Sequence, residues 1–76
     1  MAKPLTSAII RRRVAKYLSE QRELRGLSQV AFSTRLGISR GYLSDLERQN
    51  RDLSLETLVA IASRLNTTPD QILGLA

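Results

Sequence analysis

The chain has 76 residues, a length that suits one small domain whose hydrophobic core is only just large enough for stability. It contains neither Cys nor His, which excludes disulfide bonds, thiol nucleophiles and the usual zinc ligand sets. The N-terminal stretch lacks the apolar run of a signal peptide or a membrane span, so we expect a cytoplasmic protein.

The net charge of +5 is unevenly distributed along the chain. Up to Arg51, eleven Lys and Arg residues stand against four acidic ones, whereas from Asp52 onward one Arg stands against three acidic residues. A basic surface favours an anionic partner. We therefore expect the first two thirds of the chain to bind it.

Strand signals are weak throughout, because apolar and polar residues never alternate for long and no hairpin turn is evident. The sequence predicts an all-α single domain over 1–76, with five helices near 7–25, 29–36, 40–49, 55–65 and 69–73. The first helix should begin near Thr6 or Ser7 and end where Gly26 forms a left-handed cap. Its stripe of Ile10, Val14 and Leu18 is surrounded by four basic residues, which either form a solvated surface or contact phosphate: Arg11, Arg12, Arg13 and Lys16.

Four later positions carry the sequence pattern of a helix start. Three of these positions share one spacing, in which an apolar residue and a serine are followed by three further residues and another apolar residue. The spacing occurs at Leu27-Ser28 with Phe32, Ile38-Ser39 with Leu43, and Leu53-Ser54 with Leu58. This spacing is typical of a serine N-cap enclosed by a hydrophobic staple. The run Thr68-Pro69-Asp70-Gln71 marks a fourth start, with capping-box spacing and Pro at the first helical position.

The second and third helices form a predicted helix-turn-helix unit over 28–49. Gly37 follows the short second helix directly, and Ser39 already starts the third, so only a few residues reverse the chain. This spacing is typical of a unit whose second helix lies in the major groove of DNA.

The third helix has a polar side on which Arg40, with its forked donors, is the first candidate for a base contact. Tyr42 is either a DNA contact or a half-buried ring at the protein edge, and Asp45 either accepts from cytosine or braces a neighbouring arginine, which we favour. The predicted base contacts are Arg40, Gly41, Tyr42, Ser44 and Asp45. The predicted phosphate contacts are Ser28, Gln29, Arg35, Ser39, Arg48, Asn50 and Arg51. Glu47, on the buried side, needs a partner, and Arg22 is the candidate.

Three motifs then follow one another in order: G-L-S-Q, F-S-T-R-L-G-I-S-R-G-Y-L-S-D-L-E-R and S-L-E-T-L-V-A-I-A-S-R-L-N-T-T-P-D-Q-I-L. Together they resemble the phage Cro and repressor type of helix-turn-helix domain, the XRE family, over about residues 18–75. The resemblance implies a five-helix, lambda-repressor-like fold that binds operator DNA as a two-fold dimer. It also implies an ion pair between Arg22 and Glu47, and a DNA surface at Gln29, Arg40, Gly41, Ser44 and Asp45.

The run R-G-Y-L-S-D-L-E-R-Q-N-R-D-L-S-L is similar to controller proteins of restriction–modification systems. In that subgroup, positions matching Arg40, Tyr42, Ser44 and Arg51 contact DNA. The chain departs from the family pattern at Gln21, Ser33, Gln49 and Leu53, so the resemblance does not determine the path of the 48–53 loop. Phage and prophage regulators share much of the pattern, which leaves that alternative open as well.

We therefore predict a sequence-specific transcriptional regulator that binds a palindromic operator as a homodimer and is associated with the nucleoid when bound. The dimer contact is expected at about 53–76, where the apolar residues exceed what one short helix buries: Leu55, Val59, Ile72, Leu73 and Leu75. RNA polymerase is a further candidate partner, whereas no membrane, cofactor, metal or small-molecule substrate is expected. An antitoxin-like protein-binding adaptor is the alternative, and an enzyme is not expected.

Overall fold

The computed structural model describes residues 5–75, which form five α-helices and no β-strand. The helices are α1 (Ser7–Leu24), α2 (Gln29–Leu36), α3 (Arg40–Glu47), α4 (Leu55–Arg64) and α5 (Pro69–Leu73). The all-α prediction is thus confirmed over the described residues. The starts of all five helices agree with the sequence, and the main difference is at the end of α3.

Each helix begins at a hydroxyl side chain that accepts a hydrogen bond from a backbone N–H of the first turn. These N-cap residues are Thr6, Ser28, Ser39, Ser54 and Thr68. Such a cap satisfies one of the free N–H groups at a helix start. The four start patterns are therefore confirmed, although the side chain of Gln71 contacts the hydroxyl of Thr67 instead of closing a capping box.

Each helix ends at or just before a residue with left-handed backbone angles. As predicted, Gly26 follows α1 in this conformation, with φ +63°. The corresponding residue after α3 is Gln49, with φ 64°, so α3 ends at Glu47 rather than near residue 49. The left-handed conformation turns the chain out of the helix axis and satisfies the last carbonyls, as the hydrogen bond from Asn50 N–H to Asp45 O at 2.9 Å shows.

The hydrophobic core lies between all five helices. Val14 and Leu18 of α1 are buried in it, and Ile10 is half-buried against it, so the predicted stripe faces inward. The largest side chains that are almost completely buried are Phe32, Leu18, Leu43, Leu46, Ile61 and Ile72. All the buried side-chain nitrogen and oxygen atoms of the described residues have a hydrogen-bond partner. The core is therefore apolar and its polar edges are satisfied, as stability requires.

The helix contacts form a closed ring. α1 packs against α3 and α5, α2 packs against α3 and α4, and α4 packs against α5. Two arginines of the basic run on α1 reinforce this ring: Arg11 pairs with Asp52 beyond α3, and Arg13 donates to the carbonyl of Leu73 at the end of α5. Lys16 lies 3.9 Å from Glu20 on its own helix. Most of this basic run therefore has partners within the protein.

Candidate nucleic-acid interface

The turn between α2 and α3 comprises three residues, Gly37, Ile38 and Ser39. Gly37 has φ +74°, a conformation that strains any side chain with a Cβ, and a Cβ there would also lie 3.2 Å from a guanidinium nitrogen of Arg64. Ile38 packs against the core, and the hydroxyl of Ser39 accepts from the N–H of Tyr42 at 3.1 Å. The turn thus places α3 beside α2 with its first residue at the protein surface.

One side of α3 is buried and the other is open. Leu43 and Leu46 are buried, with exposures of 0% and 2%, whereas Arg40 and Gly41 are exposed. A Cβ on Gly41 would meet no atom of another described residue within 4 Å. Because glycine costs about 1 kcal/mol relative to alanine within a helix, the fold gains nothing from this residue. Its small size leaves room for a partner to approach the backbone of α3.

Basic side chains flank this open side of α3. Arg35, at the end of α2, is exposed, and so are Arg48 and Arg51 beyond the end of α3. Asn50 is exposed between them, and Gln29 is half-buried at the start of α2. The predicted phosphate contacts therefore lie on both sides of Arg40 and Gly41 along the chain, as expected for groups that would position a protein on a DNA backbone.

The structure gives Asp45 and Tyr42 definite neighbours. A guanidinium N–H of Arg48 donates to Asp45 at 3.1 Å, so this carboxylate braces an arginine, which was the favoured alternative. Tyr42 is half-buried against the core, and the guanidinium carbon of Arg51 lies 4.7 Å from the centre of its ring. That distance is typical of a cation–π contact. Arg51 thus covers one face of Tyr42, and Ser44 is half-buried between Leu43 and Asp45 on the helix.

Arg22 and Glu47 meet beneath the interface. The guanidinium donates to both carboxylate oxygens, at 3.0 and 3.1 Å, and also to the carbonyl of Leu27 at 3.2 Å. Ser19 donates to the same carboxylate at 3.3 Å. The pKa of Arg22 is raised by the hydrogen bonds to Glu47, an effect that outweighs the opposing influence of burial. The side chain of Glu47 is only 7% exposed, so these contacts satisfy a nearly buried charge.

Two contacts that the sequence did not reveal hold elements of the interface in place. Arg11 on α1 reaches Asp52 at 2.6 Å, and Arg64 on α4 donates to the carbonyl of Arg35 at 3.4 Å. Each joins residues far apart in the chain, without a spacing that could have revealed it. The hydroxyl of Ser33, one of the positions where the chain departs from the family pattern, is buried and donates to the carbonyl of Val30 at 2.8 Å.

The residues predicted to form a dimer contact separate into two groups. Leu55, Val59 and Leu75 are exposed by 80%, 58% and 55% and remain available to a second chain. Ile72 is only 1% exposed, and its assignment to the contact was wrong, because α5 turns this side chain into the core of its own protomer. Leu73 is half-buried against the same core.

Two further observations concern other kinds of site. None of the helices in the described range, 5–75, has the length and apolar character needed to cross a membrane. Over the same range, no group of three or more acidic side chains is arranged so that it could hold a metal ion.

A two-turn α2, a three-residue turn and an α3 with an open polar side define a helix-turn-helix domain. The chain belongs to the HTH_3 helix-turn-helix family, whose model matches residues 18–72. It is thus a DNA-binding protein of the transcription-regulator class. The XRE-type resemblance seen in the sequence is confirmed.

Two characterised relatives are similar over most of the chain. The control protein C.SmaI of Serratia marcescens is 32% identical over 60 residues, which are 79% of this chain and 71% of that protein. The immunity repressor protein of Bacillus phage phi105 is 36% identical over 61 residues, 80% of this chain and 42% of that protein. The chain is therefore related both to a controller protein and to a phage repressor, and it spans less than half of the latter.

Two crystal structures have a similar fold. An HTH_3 family transcriptional regulator from Vibrio cholerae superposes with a TM-score of 0.80 and 29% identity, covering 91% of this chain and 39% of the other. The hypothetical transcription factor NHTF from Neisseria superposes with a TM-score of 0.77 and 25% identity, covering 96% of this chain and 84% of the other. The helical architecture is thus shared with transcription factors over nearly the whole chain.

Proposed function

We propose that the chain is a homodimeric transcription regulator that binds a palindromic operator with α3 in the major groove. The observation that carries the proposal is the open side of α3, where exposed Arg40 and the unobstructed Gly41 are flanked by exposed arginines. A helix presented in this way can bring its first turn against base edges. Such a protein would act in the cytoplasm, at the nucleoid when bound.

Base contacts are assigned to the polar side of α3. Arg40 is exposed and its forked donors suit guanine O6 and N7, while Gly41 lets the backbone approach the groove. Ser44 completes the set from the next turn. Tyr42 would contact a base through the edge that Arg51 leaves free, and Asp45 would act mainly by orienting Arg48.

Phosphate contacts are assigned to the residues around α3 and to the helix starts. The hydroxyls of Ser28 and Ser39 accept from their own helices, at 3.1 Å each, which leaves their remaining hydrogen-bonding capacity for phosphate oxygens. The other members of the set are Gln29, Arg35, Arg48, Asn50 and Arg51. Such contacts orient the protein on the duplex without distinguishing bases.

The dimer contact is assigned to the exposed apolar residues after the interface. Leu55 and Val59 are four positions apart on α4 and therefore lie on one face of that helix. Leu75 follows α5 and is also exposed. A two-fold contact through such residues would place the two copies of α3 about one DNA helical turn, roughly 34 Å, apart.

The relatives support two biological settings for this regulator. The similarity to the control protein supports a controller of a restriction–modification system, and the similarity to the immunity repressor supports a phage-type regulator. The agreement of R-G-Y-L-S-D-L-E-R-Q-N-R-D with the controller pattern makes the controller our preferred setting. Contact with RNA polymerase would accompany activation in either case.

Selection from a random DNA pool with the purified chain tests the proposal. We expect enrichment of one family of palindromes whose half-sites repeat at about one helical turn. Binding of the enriched duplex should weaken steeply as salt is added. In a plot of the logarithm of the binding constant against the logarithm of the salt concentration, each neutralised phosphate contributes close to one unit of negative slope. Binding no better than that of another polyanion at physiological salt would contradict the proposal and favour a protein-binding adaptor.

A further inference from the structure

The segment between α3 and α4 carries three proposed phosphate contacts, Arg48, Asn50 and Arg51, yet its backbone is weakly held. Gln49 and Asn50 donate to carbonyls at the end of α3, at 3.1 and 2.9 Å. For the next three residues, 51–53, the described part of the protein contains no backbone–backbone hydrogen bond. Side chains must therefore determine where this stretch lies.

Two neighbouring side chains connect this stretch to different helices. Asp52 accepts from Arg11 of α1 at 2.6 Å, whereas the guanidinium carbon of Arg51 lies 4.7 Å from the ring centre of Tyr42 on α3. All three charged side chains border one cleft of about 250 Å³ between α1 and α3. The residue that follows Arg51 is thus held from α1 through its side chain, while the side chain of Arg51 is held from α3.

We infer that Arg11 and Asp52 are positioning residues for DNA binding, and that their ion pair holds Arg51 against Tyr42 in the orientation that contacts phosphate. The inference rests on the proposed function. It adds a contribution from the N-terminal half of α1, which lies outside the helix-turn-helix unit and outside the residues matched to the family model. An arginine held in place before binding loses less conformational freedom on contact, which favours binding.

The direction in which one substitution changes DNA affinity distinguishes a positioning role from a purely electrostatic effect. Asp52→Asn removes a negative charge next to a surface that binds an anion, so electrostatics alone predicts tighter binding. Loss of the contact with Arg11 releases Arg51, so positioning predicts weaker binding. Because Asp52 is 77% exposed, the pair is of the surface type, and we expect weakening of only about two- to fivefold.

The experiment measures binding of the purified chain to the duplex enriched from the random pool, at low salt. Asp52→Asn should weaken binding, whereas the matched control Glu56→Gln, which removes an exposed carboxylate from α4, should leave it unchanged or tighten it. In an Arg51→Ala background, Asp52→Asn should no longer weaken binding, because the positioned guanidinium is already absent. The same holds in an Arg11→Gln background, because the partner of Asp52 is already absent. Thermal unfolding of each variant shows whether the fold persists.

Each outcome decides a separate question. Tighter binding by Asp52→Asn, or an equal loss in all backgrounds, overturns the positioning role but leaves the proposed function intact. Failure of the parent chain to prefer the enriched duplex over unrelated DNA overturns the proposed function, and the positioning role with it.

Discussion

The carboxylate of Glu47 accepts two hydrogen bonds from the guanidinium of Arg22, which joins the last turn of α3 to the last part of α1. Removing one partner leaves the other as an uncompensated charge in a nearly dry site. We expect Arg22→Met to reduce the free energy of unfolding by about 3 kcal/mol. For a domain of this size that corresponds to a decrease in Tm of about 15 °C, measurable by circular dichroism.

The matched control replaces both partners. In the Arg22→Met, Glu47→Leu double variant no buried charge remains unpaired, so we expect at least half of the lost stability to return. A double variant less stable than the single one would show that the hydrogen bond from Ser19 to Glu47 contributes more stability than the unpaired carboxylate costs.

Gln49→Gly should stabilise the protein. Gln49 has φ 64°, where a side chain with a Cβ costs about 1–2 kcal/mol, partly offset by the greater freedom that glycine has in the unfolded chain. We expect a net gain of about 0.5–1 kcal/mol in chemical denaturation. Asn66→Gly is the control, because Asn66 has φ 55° but asparagine tolerates this conformation well, so its gain should be smaller.

Arg40 and Arg35 should differ in how their removal affects DNA binding. Arg40→Ala removes a proposed base contact, and we expect preference at one operator position to relax by about 1–3 kcal/mol. Arg35→Ala removes a proposed phosphate contact, so it should weaken binding to all sequences alike. It should also reduce by about one the magnitude of the slope of the logarithm of the binding constant against the logarithm of the salt concentration. Titration against an operator and its single-base variants distinguishes them. Unchanged base preference in Arg40→Ala would disprove its assignment.

Val59→Asp should prevent dimerisation. Val59 is 58% exposed on α4, so a carboxylate there is solvated in the monomer but would be buried without a partner in the proposed dimer. Sedimentation should show a monomer that binds a half-site as well as a full palindrome. Leu24→Asp is the matched control, since Leu24 is 78% exposed on α1 outside the proposed contact. A dimeric Val59→Asp variant would place the contact elsewhere.

Local chemistry explains what the sequence could predict. The hydroxyl caps at Ser28, Ser39 and Ser54 form their hydrogen bonds within one helical turn, so their spacing alone marks the helix starts. Gly37 likewise marks the turn by its own backbone preference. The exposure of Arg40 follows from the period of its helix.

One strained backbone position and several contacts between distant residues explain what the sequence could not predict. The early end of α3 depends on a strained Gln49, a residue type without a preference for that conformation. Ile72 was assigned to the dimer contact because the number of apolar residues after residue 53 does not reveal which of them face the core. The Arg11–Asp52 pair joins residues 41 positions apart and depends on how α1 packs against α3.

The division of α3 into a buried and an open side also has an evolutionary consequence. Leu43 and Leu46 maintain the packing, while Arg40 and Gly41 are exposed outside the core cluster. A surface substitution at a position such as Arg40 usually changes stability by less than about 0.5 kcal/mol, and replacing Gly41 by alanine favours the helix by about 1 kcal/mol. Mutations at Arg40 and Gly41 can therefore accumulate without unfolding the domain. Under the proposed function, descendants of this gene can acquire new operators while their scaffold stays the same.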